Sequence, residues 1–296
     1  MPPCAVLRSD TTVRMARIVL GHRDGALATR LARTVLTDLA AEWPDVQLVP
    51  RTLAGAPDAP EDPVLKALAA GDVALAVVAC ETLRAPLPEG IALVAVTKRL
   101  EPRLALVTKG ASSMDTLGDA AALGVGAERD VPFVRAGFPG MHPETVGTDV
   151  DRALARLASG ELDALVLSAS TLIMMDRRDH ARTLLEPDVL PPAPGQGSLA
   201  LLARADDDLA AEVAYTLQHR PSFDRVRAER AFAAGLPERA LGALATVSSD
   251  GDLQLFGAVA AGGTTLQASV SGEAREAEEL GSELAKDVAA QLAALG

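Results

Sequence analysis

The sequence predicts an α/β protein with two α/β domains followed by a small α+β domain. Three observations predict this class. Apolar strand-like runs alternate with helix-like segments, two proline-containing segments interrupt that alternation, and the last quarter changes to short runs separated by Gly and Asp. The length of 296 residues is sufficient for two or three domains with real hydrophobic cores.

The first α/β unit begins after residues 1–14, a polar and aperiodic stretch that we expect to be a disordered tail, or to precede a translation start at Met15. Arg17–Gly21 is a strand-like run, and apolar residues recur at helical spacing after Asp24, the expected N-cap. The pattern continues with a strand at Val46–Val49, a helix from Pro63 and an apolar run at Val73–Val78. This alternation predicts a mostly parallel sheet.

Two segments indicate crossings between domains. Thr97–Arg103 is charged and contains a proline, and Leu190–Gly197 is too rich in proline to form a helix or an inner strand. A second α/β set lies between them, with a strand at Leu123–Gly126, a helix at Asp149–Ala158 capped by Asp149 and stopped by Gly160, and a strand at Ala164–Leu167. We therefore assign residues 15–98 plus 196–220 to domain 1 and residues 99–195 to domain 2.

Residues 221–296 form the predicted third domain. After a helix at Phe223–Ala234, three strand-like runs follow, with Asp250-Gly251 as a hairpin signal between two of them. A final amphipathic helix is predicted from Glu273 to the end.

Composition excludes several function classes. The formal charge of −12 repels phosphate backbones and anionic lipids, so neither nucleic acid nor a membrane surface is an expected partner. No apolar run is long enough to span a bilayer, and the start lacks an export leader, so we expect a cytoplasmic protein and a monomer. The four histidines stand apart from each other and from the two cysteines, which predicts no metal site.

A set of short segments occurs in a fixed order along nearly the whole chain from Met15. They are Ile18–Arg23, Gly71–Val77, Leu87–Gly90, Pro102-Arg103, Gly160–Ala164, Leu190-Pro191, Gly195–Gly197, Glu229–Phe232 and Leu241–Ala243. Each is unremarkable alone, but their order resembles the hydroxymethylbilane synthase family, also called porphobilinogen deaminase. The resemblance implies the porphobilinogen-deaminase type of fold: two periplasmic-binding-protein-like α/β domains with a ligand cleft between them, plus a small C-terminal α+β domain.

The resemblance also implies a transferase of porphyrin and haem (tetrapyrrole) biosynthesis. Such enzymes join four porphobilinogen units head to tail with loss of ammonia, on a dipyrromethane primer that a cysteine of the third domain holds as a thioether. This chemistry needs cations for the acetate and propionate groups and a carboxylate that stabilises cationic intermediates.

The position of the family's catalytic aspartate is occupied by Thr82, whose hydroxyl cannot supply the charge. Glu81 is the candidate catalytic residue because it is one position away. In an extended segment, neighbouring side chains point to opposite faces, so Glu81 would serve only if the segment bulges locally.

Few ligand-binding cations are expected. The family's arginine-rich segments fall on 127–132 and 147–153, where arginines are lost. Glu128 and Asp130 could form a carboxylate pair, but we favour a solvated loop. Arg23 is retained, and it is predicted either to bind an anion at the following helix N-terminus or to pair with a surface acid. Arg103 and Gln196, on the two crossings, are further ligand-binding candidates, for which we favour a hinge role over chemistry.

Pro237 occupies the primer-bearing position, so no thioether forms there and no cofactor is expected. Cys80 is the alternative anchor, although a cysteine after an apolar run more often fills a small buried space. We therefore expect the family reaction to be absent or very weak. The alternative to an enzyme is a non-catalytic paralogue, a pseudoenzyme that binds a less acidic small molecule or a protein partner in the cleft.

Overall fold

The computed structural model describes residues 16–55, 62–84, 86–110, 113–237 and 240–295. The predicted tail at 1–14 and the alternative start at Met15 lie outside this range. Across the described residues, the chain forms two five-stranded sheets and one three-stranded sheet, with helices packed on them. The predicted α/β class is confirmed.

The elements up to the second crossing are as follows: β1 (Ala16–Arg23), α1 (Ala26–Glu42), β2 (Val46–Leu53), α2 (Pro63–Ala69), β3 (Leu75–Ala79), β4 (Ile91–Val96), β5 (Leu104–Thr108), β6 (Ala122–Val125), α3 (Asp130–Gly137), β7 (His142–Thr145), α4 (Val150–Ser159), β8 (Ala164–Ser168), α5 (Ala169–Met174) and β9 (Thr183–Leu184). After that crossing come β10 (Leu199–Arg204), α6 (Asp208–Tyr215), α7 (Arg220–Ala234), β11 (Ala240–Val247), β12 (Asp252–Ala261), β13 (Thr264–Glu273) and α8 (Ala277–Leu295).

The first two sheets are mixed rather than nearly all parallel. Their strand orders are β2-β1-β3-β10-β4 and β7-β6-β8-β5-β9. In each sheet, the strand that immediately follows a crossing, β5 or β10, pairs antiparallel with both of its neighbours. We call the units built on these two five-stranded sheets the first and second lobes. After each crossing the chain enters a sheet from the other lobe, and the entering strand runs antiparallel to the strands that local βαβ units form.

Helix ends follow the predicted caps at some positions. Asp149 accepts a hydrogen bond from the Arg152 N–H at 3.1 Å, and Gly160 ends α4 in the left-handed conformation. The expected cap at Asp24 is wrong, because Gly25 is the N-cap residue of α1 and makes no side-chain capping bond. Burial of the apolar stripe of α1 against the first sheet stabilises that helix without a capping side chain.

Helix α3 and strand β7 were not predicted from the sequence. Pro132 lies in the first turn of α3, where a proline loses no intrahelical hydrogen bond. Phe133 and Val134 anchor the helix in the core of the second lobe. Asp130 is consequently buried rather than solvated, at 2% exposure, whereas Glu128 is exposed.

The third sheet, in the order β11-β12-β13, packs against α7 and α8. The final helix begins at Ala277 rather than Glu273, because β13 remains paired with β12 up to the contact of Glu273 with Asp252. The hairpin signal at Asp250-Gly251 is confirmed as the β11–β12 turn, with Gly251 at a φ of 90°. No helix among the described residues is long and apolar enough to cross a membrane.

Candidate functional site

The loops after β1 and β3 lie at the carboxyl ends of parallel strands, which is where open α/β sheets bind ligands. Arg23 ends β1, and its Nη2 lies 2.5 Å from the Asp62 Oδ2. Asp62 precedes α2 and caps it, because its Oδ1 accepts the Val64 N–H at 2.9 Å. The retained cation is therefore already paired within the protein, although its partner is a largely enclosed carboxylate and not the surface acid of the second predicted alternative.

Glu81 lies in a 3₁₀ turn, Cys80–Thr82, directly after β3. The premise of an extended segment is therefore wrong at this point, since side chains in a 3₁₀ turn are spaced by a third of a turn and do not alternate between two faces. The turn is closed by the Leu83 N–H, which donates to the Cys80 carbonyl at 3.1 Å. The strand alternation that made a β-bulge necessary for Glu81 therefore does not apply to this turn.

The side chain of Glu81 is half-buried, and its Oε2 is buried with no hydrogen-bond partner among the described residues. Burial raises its pKa from 4.5 to about 7, while its own backbone N–H and the charge of Arg99 act in the opposite direction. Thr82 is exposed, and its hydroxyl donates to the Ala79 carbonyl at 2.9 Å. Glu81 is thus the carboxyl group near this strand end that can exchange a proton close to neutral pH.

We expect the stability of the protein to fall as the pH rises from about 4.5 to 7, because of Glu81. Between its ordinary pKa of 4.5 and its folded pKa of about 7, the folded protein retains a proton that the unfolded chain has released. Raising the pH through this window therefore favours unfolding. Urea unfolding at a series of pH values measures the slope, and Glu81→Gln should flatten it. An unchanged slope in the variant would contradict the assignment to Glu81.

Cys80 is buried at 1% exposure. Burial, and secondarily the charge of Glu81, raises the pKa of its thiol far above the usual range. Thiolate, the nucleophilic form, is therefore not populated at neutral pH. The residue also packs tightly against the second crossing, since a Cβ placed on Gly195 would lie 2.7 Å from the Cys80 Cβ. These contacts fit a small buried filler.

A buried ion pair joins both crossings to the third domain. Arg99 of the first crossing donates from Nη1 and Nη2 to Glu229 of α7, at 2.6 and 3.1 Å, and the two side chains are 3% and 0% exposed. Glu229 also accepts the backbone N–H groups of Gly195 at 2.6 Å and Ala245 at 2.7 Å. We call Arg99, Glu229 and these two N–H groups the buried hub.

Arg103 and Gln196 lie in the two crossings. Arg103 pairs with Glu101 at 2.9 Å and with Glu186 at 2.8 Å. Gln196 is 4% exposed, and its Nε2 donates to the Pro102 carbonyl at 2.6 Å, which joins the second crossing to the first. These contacts engage both side chains within the protein, and the hinge role and the ligand-binding assignment both stay predictions.

Arg129, in the segment where the resemblance predicts ligand-binding arginines, contacts the protein itself. Its Nε donates to the Leu241 carbonyl at 3.0 Å and its Nη2 to the Pro191 carbonyl at 2.8 Å, while Nη1 lies 2.8 Å from Asp130. This side chain therefore connects the second lobe to the third domain. Gly242 permits the approach, because a Cβ there would lie 2.5 Å from the Pro191 Cβ.

Two further arginines connect domains. Arg30 of α1 forms an ion pair with Asp176, which follows α5. This ion pair connects the first lobe to the second. Arg230 of α7 donates to the carbonyls of Leu83 at 2.5 Å and Arg84 at 3.4 Å, just after the turn that carries Glu81. The third domain thus supports the segment that carries the candidate carboxyl group.

The structure brings Glu81, Cys80 and the buried hub into one neighbourhood, and it places Arg23 on the adjacent strand end. Sequence reasoning did not identify Asp62, Arg99 or Glu229 as site residues. One signal was available, because Glu229 lies three residues from both Val226 and Phe232 on the apolar face of α7. A charge on that face indicates a buried partner. The Asp62 pair spans 39 positions and left no local signal.

No group of three His, Cys, Asp or Glu side chains that could hold a metal occurs in the part of the chain that the structure describes. Pro237 lies in the turn after α7, at the position where the resemblance predicts a cysteine. Its ring has no nucleophilic atom to offer.

Comparisons with known proteins place these features in context. The family model described as "Porphobilinogen deaminase, dipyromethane cofactor binding domain" matches residues 18–212. The porphobilinogen deaminase of Thermus thermophilus is 37% identical over 94% of this chain and 97% of the relative, and that of Deinococcus radiodurans is 32% identical over 93% and 96%. Among solved structures, an extracytoplasmic solute receptor of Bordetella pertussis that binds pyroglutamic acid is 12% identical, with a TM-score of 0.43 over 70% of this chain and 80% of that one.

Proposed function

Because this chain belongs to the porphobilinogen deaminase family, which acts in tetrapyrrole biosynthesis, we propose that it binds a weakly acidic small molecule in its interdomain cleft and performs the four-unit condensation very weakly or not at all. The resemblance deduced from the ordered segments is confirmed by the family model and by the curated relatives. The proposal concerns what this member retains of the family's chemistry.

The observation that carries the proposal is the pairing of the candidate cations. Arg23 is held by Asp62, Arg129 by Asp130 and two carbonyls, and Arg103 by two glutamates. A growing chain of pyrroles carries two carboxylates on every unit. Each carboxylate that finds no free cation loses a charge-assisted bond worth about 1.5–3 kcal/mol, so the cleft favours ligands with few acidic groups.

The residues present do not fit a covalently held dipyrromethane. Pro237 has no sulfur to form the thioether, and Cys80 is buried against Gly195 with a thiol pKa raised by that burial. We therefore derive no reaction step through that group.

Glu81 defines the chemistry that the cleft retains. Its Oε2 lies buried and unpartnered among the described residues, so it can accept a hydrogen bond from a pyrrole N–H or another neutral donor. With a pKa of about 7, the carboxyl group binds such a donor best when it is ionised, that is, toward the alkaline side of neutrality. Arg230 donates to the carbonyls of Leu83 and Arg84 and so supports the turn that presents this group.

Porphobilinogen turnover and intact mass together test the proposal. The purified protein is incubated with porphobilinogen, consumption is followed with Ehrlich's reagent, and the mass of the protein is measured before and after. The Thermus thermophilus relative serves as the positive control. We expect consumption at most about a hundredth of the control's rate, an effect equivalent to about 2.7 kcal/mol in barrier, and the unmodified mass of the chain.

Turnover at the rate of the control, or a mass increase equal to a bound dipyrromethane, would overturn the proposal. In that event the Cys80→Ala variant would identify the attachment point, because loss of the added mass would assign it to this thiol.

A further inference from the structure

Asp62 places a carboxylate on the cation that the cleft retains. The ion pair with Arg23 measures 2.5 Å, and the two side chains are 40% and 12% exposed, so the acid is the more enclosed partner. Its position is fixed twice, because the other oxygen accepts the Val64 N–H at 2.9 Å as the N-cap of α2. The carboxylate is therefore held on Arg23 by the fold and does not sample the solvent freely.

Arg23 is only partly satisfied by this contact. Its Nε is buried and has no hydrogen-bond partner among the described residues. A guanidinium normally binds a carboxylate through two parallel N–H groups, and Nη2 belongs to both of the edges that can do so. The oxygen of Asp62 lies on that shared nitrogen. A ligand carboxylate would meet a neutralised cation and a like charge beside it.

We propose that Asp62 is a specificity-determining residue that acts as a built-in anion, occupying Arg23 and so excluding ligand carboxylates from the cleft. The inference rests on the proposed ligand-binding function, and it explains how a retained arginine coexists with a cleft that favours less acidic molecules. Because Asp62 is also the helix cap, the excluded position is maintained in every folded molecule.

Asp62→Asn tests this role while keeping the cap, since asparagine caps helices as well as aspartate does. The probe is pyrrole-3-propanoate, which carries one carboxylate and no aminomethyl leaving group, so it cannot be consumed even by an active enzyme. Its methyl ester is the neutral counterpart. Calorimetric titration should show about tenfold tighter binding of the acid to the variant than to the native protein, with the ester unchanged.

Asp207→Asn is the matched control. Asp207 caps α6 by accepting the Ala210 N–H at 3.0 Å, and its second oxygen pairs with Arg204 at 3.1 Å. Asp207 thus makes the same two kinds of contact as Asp62, a helix cap and an arginine pair, at a position far from Asp62 along the chain. We expect its affinity for the acid to equal that of the native protein. The double variant Arg23→Gln/Asp62→Asn should return to native affinity, because the gain requires the freed guanidinium.

Three results would overturn the inference. The first is that Asp62→Asn and the native protein bind the acid with equal affinity, or that neither binds it measurably. The second is an equal gain in affinity for the ester. The third is that the gain for the acid persists in the double variant. The outcome is independent of the turnover experiment, because the probe reports affinity alone. An active enzyme whose affinity for the acid is unchanged by Asp62→Asn would contradict the inference and the proposed function. An inactive protein whose affinity for the acid rises tenfold in that variant would support both.

Discussion

Glu229→Gln should lower the free energy of unfolding by about 3–5 kcal/mol, the range observed when one partner of a buried ion pair is removed. The substitution leaves Arg99 charged at 3% exposure without its counterion. It also weakens the acceptors for the Gly195 and Ala245 N–H groups, which bond to Glu229 at 2.6 and 2.7 Å. Urea or guanidinium unfolding measures the change.

Glu278→Gln is the control for the loss of a glutamate that pairs with an arginine. Glu278 bonds to the Arg227 Nε at 3.0 Å, but its side chain is 61% exposed, so water replaces the lost contact. We expect this substitution to lower the free energy of unfolding by less than about 1 kcal/mol. If both variants lost the same free energy of unfolding, burial of the hub would not be the reason for its contribution to stability.

The hub also connects the two lobes to the third domain. It ties the first crossing, the second crossing and β11 to one carboxylate, so the relative position of the two lobes depends on the third domain. Arg129 and Arg230 add contacts from that domain to each lobe. The third domain therefore has a structural role, because its contacts hold both lobes in place.

Most strands of the two lobes were predictable because their apolar runs are short, continuous and bounded by turn residues, as at Val73–Val78, whereas the polar strand β7 was not. The direction of β10 was not predictable, since local patterning carries no information on which way a returning chain enters a sheet. Helix α3 was not predicted, although a first helical turn tolerates Pro132. Local signals therefore identified elements, and tertiary contacts decided their pairing.

The candidate site divides in a similar way. Glu81 and Arg23 were identified from a resemblance along the chain, but their state depends on groups that are distant in sequence. The pKa of Glu81 is raised by burial that no local pattern predicts, and Arg23 is paired with a residue 39 positions away. Residue identity thus indicated which groups are available, whereas the fold determines which of them are free.

Gly195→Ala should destabilise the protein by roughly 2–4 kcal/mol, since backbone strain adds to overpacking. Gly195 has a φ of +82°, a conformation that costs other residues about 1–2 kcal/mol. Its added Cβ would lie 2.7 Å from the Cys80 Cβ and 3.1 Å from the Cys80 carbonyl carbon. Neither atom belongs to a flexible side-chain end, so the second crossing must move, and with it the N–H that Glu229 accepts.

Gly90→Ala separates the two causes. Gly90 has a φ of +77°, but an added Cβ there would have nothing within 4 Å, so only the backbone strain of about 1–2 kcal/mol remains. Unfolding curves of the two variants, compared with the native protein, give the contribution of the contact with Cys80. The Gly195→Ala/Cys80→Ala double variant should show little recovery, because alanine keeps the Cβ that causes the clash. If the two glycine variants lose the same free energy, the tight packing of the second crossing against the turn that carries Glu81 is not present in solution.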